Sequence, residues 1–204
     1  YEDIDRAIQC GFSSIMIDAS ACEFEKNVNR TRQAASLAHS LGLSCEAELG
    51  HVGLASQEDN ARTDLYTNVE QAKHFVKETG CDCLAVAIGT AHGKYPEGYI
   101  PKLDFGRLKE LKQALNMPLV LHGGSGAGEE NIRKVVEGGI NKINVCTDLF
   151  RYATEITAKT IAENPAVDYM DLCIAAQNAM KDIIKKYMRM IGSSGRYIFE
   201  KSEF

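Results

Sequence analysis

No run of apolar residues in this 204-residue chain approaches the ~18 needed to cross a bilayer, and the N-terminus lacks the apolar core of a secretory leader. Long basic stretches are missing too. The 23 Lys and Arg are outnumbered by 28 Asp and Glu, giving a formal charge of −5 and a pI near 5.6. Phosphate neutralisation needs clustered cations, so neither nucleic acid nor a membrane surface is expected as a partner. Paired cysteine motifs are also absent. The seven Cys are odd in number and several sit in apolar runs, as small buried hydrophobes do. Cys81 and Cys83 have no second pair to complete a Cys-based zinc site. Free thiols and a cytoplasmic location follow as expectations. No linker or low-complexity stretch divides the chain, so one domain over 1–204 is expected. What remains is ordinary globular composition, 45% hydrophobic and 25% charged, enough to bury a core.

One pattern recurs along the chain: a helical stretch, a Gly or Asn stop, then a short apolar run ending in small or polar residues. The runs are Ser13–Ser20, Leu43–Gly50, Cys83–Gly89, Pro118–Gly124 and Lys142–Thr147. They are short and continuous, as buried parallel strands are. Phe24–Leu41, Val69–Thr79, Phe105–Leu115 and Glu129–Glu137 carry the helical period, with left-handed caps expected at Gly42, Gly80, Asn116 and Gly138. Helices Leu149–Ala162 and Leu172–Ile191 follow the fifth run. Five parallel strands do not close a barrel, and an eight-unit barrel takes about 250 residues. The chain also opens directly into a helical segment, Glu2–Gln9, without a start methionine. The expectation is an α/β fold, a (β/α)8 TIM barrel lacking roughly its first three βα units and carrying extra C-terminal helices.

In such folds chemistry gathers at the C-terminal ends of strands. Those positions hold Asp18, Glu46 and Glu48, His92, His122, and Asn144 with Thr147. Imidazole suits Zn²⁺, and a catalytic zinc takes three protein ligands plus an open position. His92 and His122 supply two, and a third must come from elsewhere. Either imidazole alone also reads as a hydrogen-bonded residue at a strand–loop junction. His39 and His74 read as helix-face residues, and His51 as a loop residue. The glycine-rich His122–Gly128 stretch lacks the Gly-Lys-Ser/Thr ending of a Walker loop, yet it follows a strand and precedes a helix, where backbone N–H groups can meet an anion. A tight turn selected for packing is the plainer alternative. Gly50–Ala61 is a polar loop in which Glu58 and Asp59 are possible bases. Lys142 on the fifth run reads as structural or electrostatic.

Eight segments in this order resemble the class II, zinc-dependent ketose-bisphosphate aldolases, which include fructose- and tagatose-bisphosphate aldolases. They are MIDAS (Met16–Ser20), EAELG (Glu46–Gly50), QED (Gln57–Asp59), GTAHGKY (Gly89–Tyr95), LDFGRL (Leu103–Leu108), PLVLHGGSG (Pro118–Gly126), KINVCTD (Lys142–Asp148) and GSSGR (Gly192–Arg196). The wordings GTAHG and NVCTDL are closer to the tagatose branch. The resemblance implies that His92 and His122 are two of three zinc ligands, and that Asp18 and Glu48 match carboxylates holding a second metal or an alternative metal position. It implies a phosphate and triose pocket at Gly93, Gly123, Gly124 and Ser125 with Asn144, Val145, Cys146 and Thr147. Glu58 matches the loop glutamate that moves a proton at the triose carbon. The family's Asp-His segment, with its main acid–base Asp and third ligand, would precede Tyr1. The implied reaction is reversible cleavage of a ketose 1,6-bisphosphate to glycerone phosphate and glyceraldehyde 3-phosphate, through an enediolate that Zn²⁺ stabilises. A second divalent or monovalent cation and a homo-oligomer, dimer or tetramer, are also implied. Two other readings stay open: a metal-free phosphate-binding barrel enzyme, and an inactive fragment or non-catalytic subunit of an aldolase.

Overall fold

Short aliphatic runs bounded by glycine and polar residues bury both faces at once, which favours parallel pairing under helices. The computed structural model describes residues 2–55 and 63–196, and in it the runs form β1 (Ser14–Ile17), β2 (Ser44–Leu49), β3 (Cys83–Val86), β4 (Leu119–Leu121) and β5 (Ile140–Ile143). All neighbours are parallel, and the strand order β1-β2-β3-β4-β5 is the chain order. Helix α1 (Glu2–Gln9) comes before β1, and α2 (Phe24–Ser40), α3 (Val69–Thr79), α4 (Phe105–Ala114) and α5 (Glu129–Glu137) connect successive strands. After β5 come α6 (Thr147–Glu163) and α7 (Tyr169–Met190). This is the expected α/β arrangement, with a parallel sheet that matches part of a βα barrel. No helix among the described residues is long and apolar enough to cross a membrane.

The chain divides into two compact units, Tyr1–Asn144 and Val145–Phe204. In the first, alternation along the strands sorts residues to two faces. Cys45, Ala47, Leu84, Val86, Leu119 and Leu121 are buried, as are Phe75, Leu108, Leu111, Ile132 and Val135 of the helices. Ala34, Ala35 and Ala38 of α2 pack with Ile15 and Cys45, and small side chains there allow a close approach to the sheet. The opposite face carries the polar residues. Register places Glu48 beside Ala85, Ala85 beside Val120, and Val120 beside Lys142. One row thus crosses four strands and ends in charges of opposite sign.

Several boundaries differ from the sequence pattern. Gly80 caps α3 in the left-handed region as expected, but Gly138 is right-handed, and Gly139 (φ 105°) makes the reversal into β5. The helix α4 ends on Leu115 in extended backbone. β5 starts and stops earlier than the run Lys142–Thr147, because Ile140 pairs with Leu119 across an irregularity at Leu119/Val120. Thr147 is therefore the first residue of α6 and Cys146 its cap position, not strand residues. In the second unit the Tyr187 hydroxyl of α7 donates to Asp148 Oδ2 of α6 at 2.6 Å. Burial and the Asp148 carboxylate both push the Tyr187 phenol up.

Candidate functional site

A period of two puts Glu46 and Glu48 on the same face of β2, the face opposite the helices. Both are buried, which an ionised carboxylate tolerates only with strong partners. The partner is His122, which follows β4 directly. Its Nε2 lies 3.0 Å from Glu46 Oε1 and its Nδ1 lies 2.9 Å from Glu48 Oε2. Burial opposes the charge on this ring, but hydrogen bonds to the two glutamates outweigh it and lift its pKa to about 9. Glu46 shows the converse. Burial would raise it, yet His122 and Lys142 hold it below the usual range. Lys142 Nζ is 2.6 Å from Glu46 Oε2, and the Cys83 thiol donates to the same oxygen at 3.7 Å.

His92 sits in the loop beyond β3, fixed by backbone pairing. Its N–H donates to the Gly53 carbonyl (2.8 Å), and its own carbonyl accepts from Ala55 N–H (2.9 Å). Two further bonds hold its neighbours in place: Thr90 Oγ1 donates to the His122 carbonyl (2.7 Å), and Ala91 N–H donates to the Tyr95 hydroxyl (2.7 Å). Gly123 allows the two histidine loops to touch. At φ 67°, a Cβ there would lie 2.6 Å from the Ala91 carbonyl oxygen. The His92 and His122 rings end with centroids 5.9 Å apart and planes tilted by 57°. Burial and the charge of His122 lower the His92 pKa, which favours the neutral ring.

The remaining expected positions are spread around this pair. Asp18, just beyond β1, accepts from Ser20 N–H (2.9 Å) and Ser20 Oγ (2.7 Å), and the same hydroxyl reaches Glu48 Oε1 at 3.4 Å. Gly93 faces open space. Ser125 is buried, and Gly124 N–H donates to the Asn144 carbonyl at 3.0 Å, extending the β4–β5 pairing. The first turn of α5 carries Glu129 and Glu130, whose carboxylates pair with Arg133 and Lys134. Val145, Cys146 and Thr147 belong to the second unit. Glu58 and Asp59 lie outside the described residues. His74 stacks on Phe24, and His39 pairs with Asp82, as helix-face residues do. His51 borders a cavity of about 210 Å³ with Ser20, Asn27 and Tyr66.

Does this set fit a divalent cation? Two imidazoles bound at ~2.0–2.1 Å place their ring centroids roughly 5–6 Å apart, and the pair is at that separation. A carboxylate on the second nitrogen of a ligating histidine is the usual support, and Glu46 or Glu48 supplies it. The donors therefore fit Zn²⁺ in kind and spacing as two members of a set. Among the described residues no group of three such donors is placed to hold an ion. Sequence reading placed Glu46 with Asp18, Glu48, His92 and His122 among the strand-end residues, but assigned it no partner or role, and read Lys142 as structural or electrostatic. The i, i+2 spacing of two acidic residues inside an otherwise apolar strand was the available signal.

The family model described as Fructose-bisphosphate aldolase class-II matches residues 1–196. The YdjI aldolase from Escherichia coli K12 is 36% identical with a TM-score of 0.81, covering 96% of this chain and 66% of its own. A protein assigned as a fructose-1,6-biphosphate aldolase from Coccidioides immitis is 32% identical with a TM-score of 0.80, covering 96% and 69%. Fructose-bisphosphate aldolase from Campylobacter jejuni, at 23% identity and a TM-score of 0.73 over 92% and 63%, shares the fold. The chain thus spans about two thirds of the length of these relatives. Match, fold and motif order agree that this chain belongs to the class II fructose-bisphosphate aldolase family.

Proposed function

We propose that the protein is a zinc-dependent aldolase that reversibly cleaves a ketose 1,6-bisphosphate, fructose or tagatose, to glycerone phosphate and glyceraldehyde 3-phosphate. The observation that carries this reading is the convergence of His92 and His122, 5.9 Å apart, beside Glu48 and Asp18. His92 and His122 would hold the ion, with Asp18 and Glu48 serving an alternative position or a second cation. When bound, the ion supplies Lewis-acid polarisation of the substrate carbonyl.

The chain's own residues do the rest. Glu46 and Glu48 hold the His122 ring in place, and His122 must give up one proton before it can act as a ligand. Phosphate and triose contacts would fall to Gly93, Gly123, Gly124, Ser125, Asn144, Val145, Cys146 and Thr147, the positions that the family resemblance implies. Gly124 has already donated its N–H to Asn144, so its part is to let substrate come close to the backbone. Glu58 would move the proton at the triose carbon. Residues 1–204 would form the C-terminal part of one barrel domain, in a cytoplasmic carbohydrate-metabolising enzyme that forms a dimer or tetramer.

The test uses the full-length protein with both bisphosphates. A chelator should abolish release of the two triose phosphates, added Zn²⁺ should restore it, and His92→Ala should reduce kcat/KM by at least about a hundredfold. The faster substrate decides between fructose and tagatose. Turnover that survives both chelation and His92→Ala would overturn the reading.

A further inference from the structure

Glu46 and Glu48 grip the same ring, yet they are held very differently. Glu46 has both oxygens engaged: Oε1 by His122 Nε2, and Oε2 by Lys142 Nζ at 2.6 Å and the Cys83 thiol at 3.7 Å. Its partners arrive from β3, β5 and the end of β4, so the carboxylate is anchored from three sides. Glu48 takes His122 Nδ1 on one oxygen, and its other oxygen has the Ser20 hydroxyl at 3.4 Å. That hydroxyl is closer to Asp18, at 2.7 Å. One glutamate is fixed and the other is free to yield.

Strand register shows which edge of the His122 ring is nearer His92. Glu46 pairs with Cys83 and Glu48 with Ala85, so Glu48 lies two residues closer to the end of the sheet from which the His92 loop leaves. His122 turns Nδ1 to Glu48 and Nε2 to Glu46, deeper along the strands. The Nδ1 edge is therefore the edge on the side of the His92 loop.

We propose that Glu46 and Lys142 are positioning residues: together they hold His122 with Nε2–H donated to Glu46, leaving Nδ1 as the nitrogen that takes a divalent cation shared with His92. This rests on the zinc reading above and assigns two residues to it. The physics is a division of labour. Glu46 fixes the tautomer and blocks a half-turn of the ring, which would put ring carbons where the two nitrogens lie. Lys142 keeps a buried carboxylate charged and in place, since that charge alone would be costly. Lys142 spends its charge inside the site without touching substrate.

The full-length protein tests this through metal affinity and ring spectroscopy. Zn²⁺ dissociation constants come from competition with a chromophoric chelator. Ring ¹⁵N shifts of His122 in the zinc-loaded protein report which nitrogen carries the proton. Wild type should show Nε2 protonated and Nδ1 metal-bound. Glu46→Ala should weaken Zn²⁺ about 10–100-fold. Lys142→Met should weaken it in the same direction, and Lys142→Arg should restore most of the loss. Lys142 is half-exposed, so its variants fold even if Glu46→Ala does not. Zinc affinity within twofold of wild type in Lys142→Met, or an Nδ1-protonated ring, would overturn the proposal while leaving the zinc reading intact. A wild-type protein whose zinc affinity is unmoved by His92→Ala would overturn the zinc reading and this assignment with it.

Discussion

Gly123 is where one backbone atom decides whether two imidazoles can meet. Its φ of 67° is costly for any L-residue, and a Cβ would lie 2.6 Å from the Ala91 carbonyl oxygen. Backbone cannot fold aside as a long side chain can, so the His92 loop would have to retreat. Gly123→Ala should therefore destabilise the protein by about 1–3 kcal/mol in denaturant titration. The same variant should weaken zinc binding, because the ring separation changes. His122 marks what the sequence could and could not disclose. Its place at a strand end was readable, because parallel strands present chemistry there. Its double clasp by Glu46 and Glu48 was not, because two glutamates in an apolar strand gain meaning only once register is known. Glu46 was therefore legible as a strand-end carboxylate but not as a partner of His122, and Lys142 only as structural or electrostatic.

Element boundaries followed the pattern where one local signal dominated. The αL glycine at the end of α3 did so, as did the start of α4 at Phe105, which the Asp104 side chain caps. They failed where tertiary pairing overrode it. β5 began at Ile140, opposite Leu119, although Lys142–Thr147 had the more strand-like ending. Connections between elements also carry weight. Thr67, ahead of α3, is fully buried and joins the ends of β2 and β3: its hydroxyl donates to the Leu49 carbonyl (2.5 Å) and accepts from Ala87 N–H (2.8 Å). Thr67→Val keeps the shape and removes both bonds. Leaving two buried backbone groups unsatisfied should cost about 1–3 kcal/mol for each. Hydrogen exchange at Ala87 should quicken accordingly, and unchanged exchange there would count against the role given to this hydroxyl.

Across the first unit as a whole, the two ends of the sheet do different work. At the end where strands begin, Asp82 accepts from Cys45 N–H (2.7 Å) and pairs with His39 Nε2 (2.9 Å). Partial burial would raise the Asp82 pKa, but the Cys45 and His39 bonds prevail and lower it. A depressed carboxylate contributes stability that is present above its unfolded value, ~3.9, and lost as pH falls through the lower folded value. Asp82→Ala should thus be less stable than wild type near neutrality, with the gap narrowing as pH drops below about 4. Zinc affinity in this variant should stay at the wild-type level, because the His92–His122 pair sits at the opposite ends of the strands.

Strand order that equals chain order also bears on how the molecule assembles. Each strand pairs with the one made just before and just after it, so the sheet can grow one βα unit at a time. His92 and His122 are brought together by one such step, the docking of neighbouring βα units. The bridge from Lys142 to Glu46 differs, because it spans 96 positions. It can form only after β3, β4 and β5 have all been laid down. Synthesis must therefore run well past both histidines before the ring of His122 acquires its orientation.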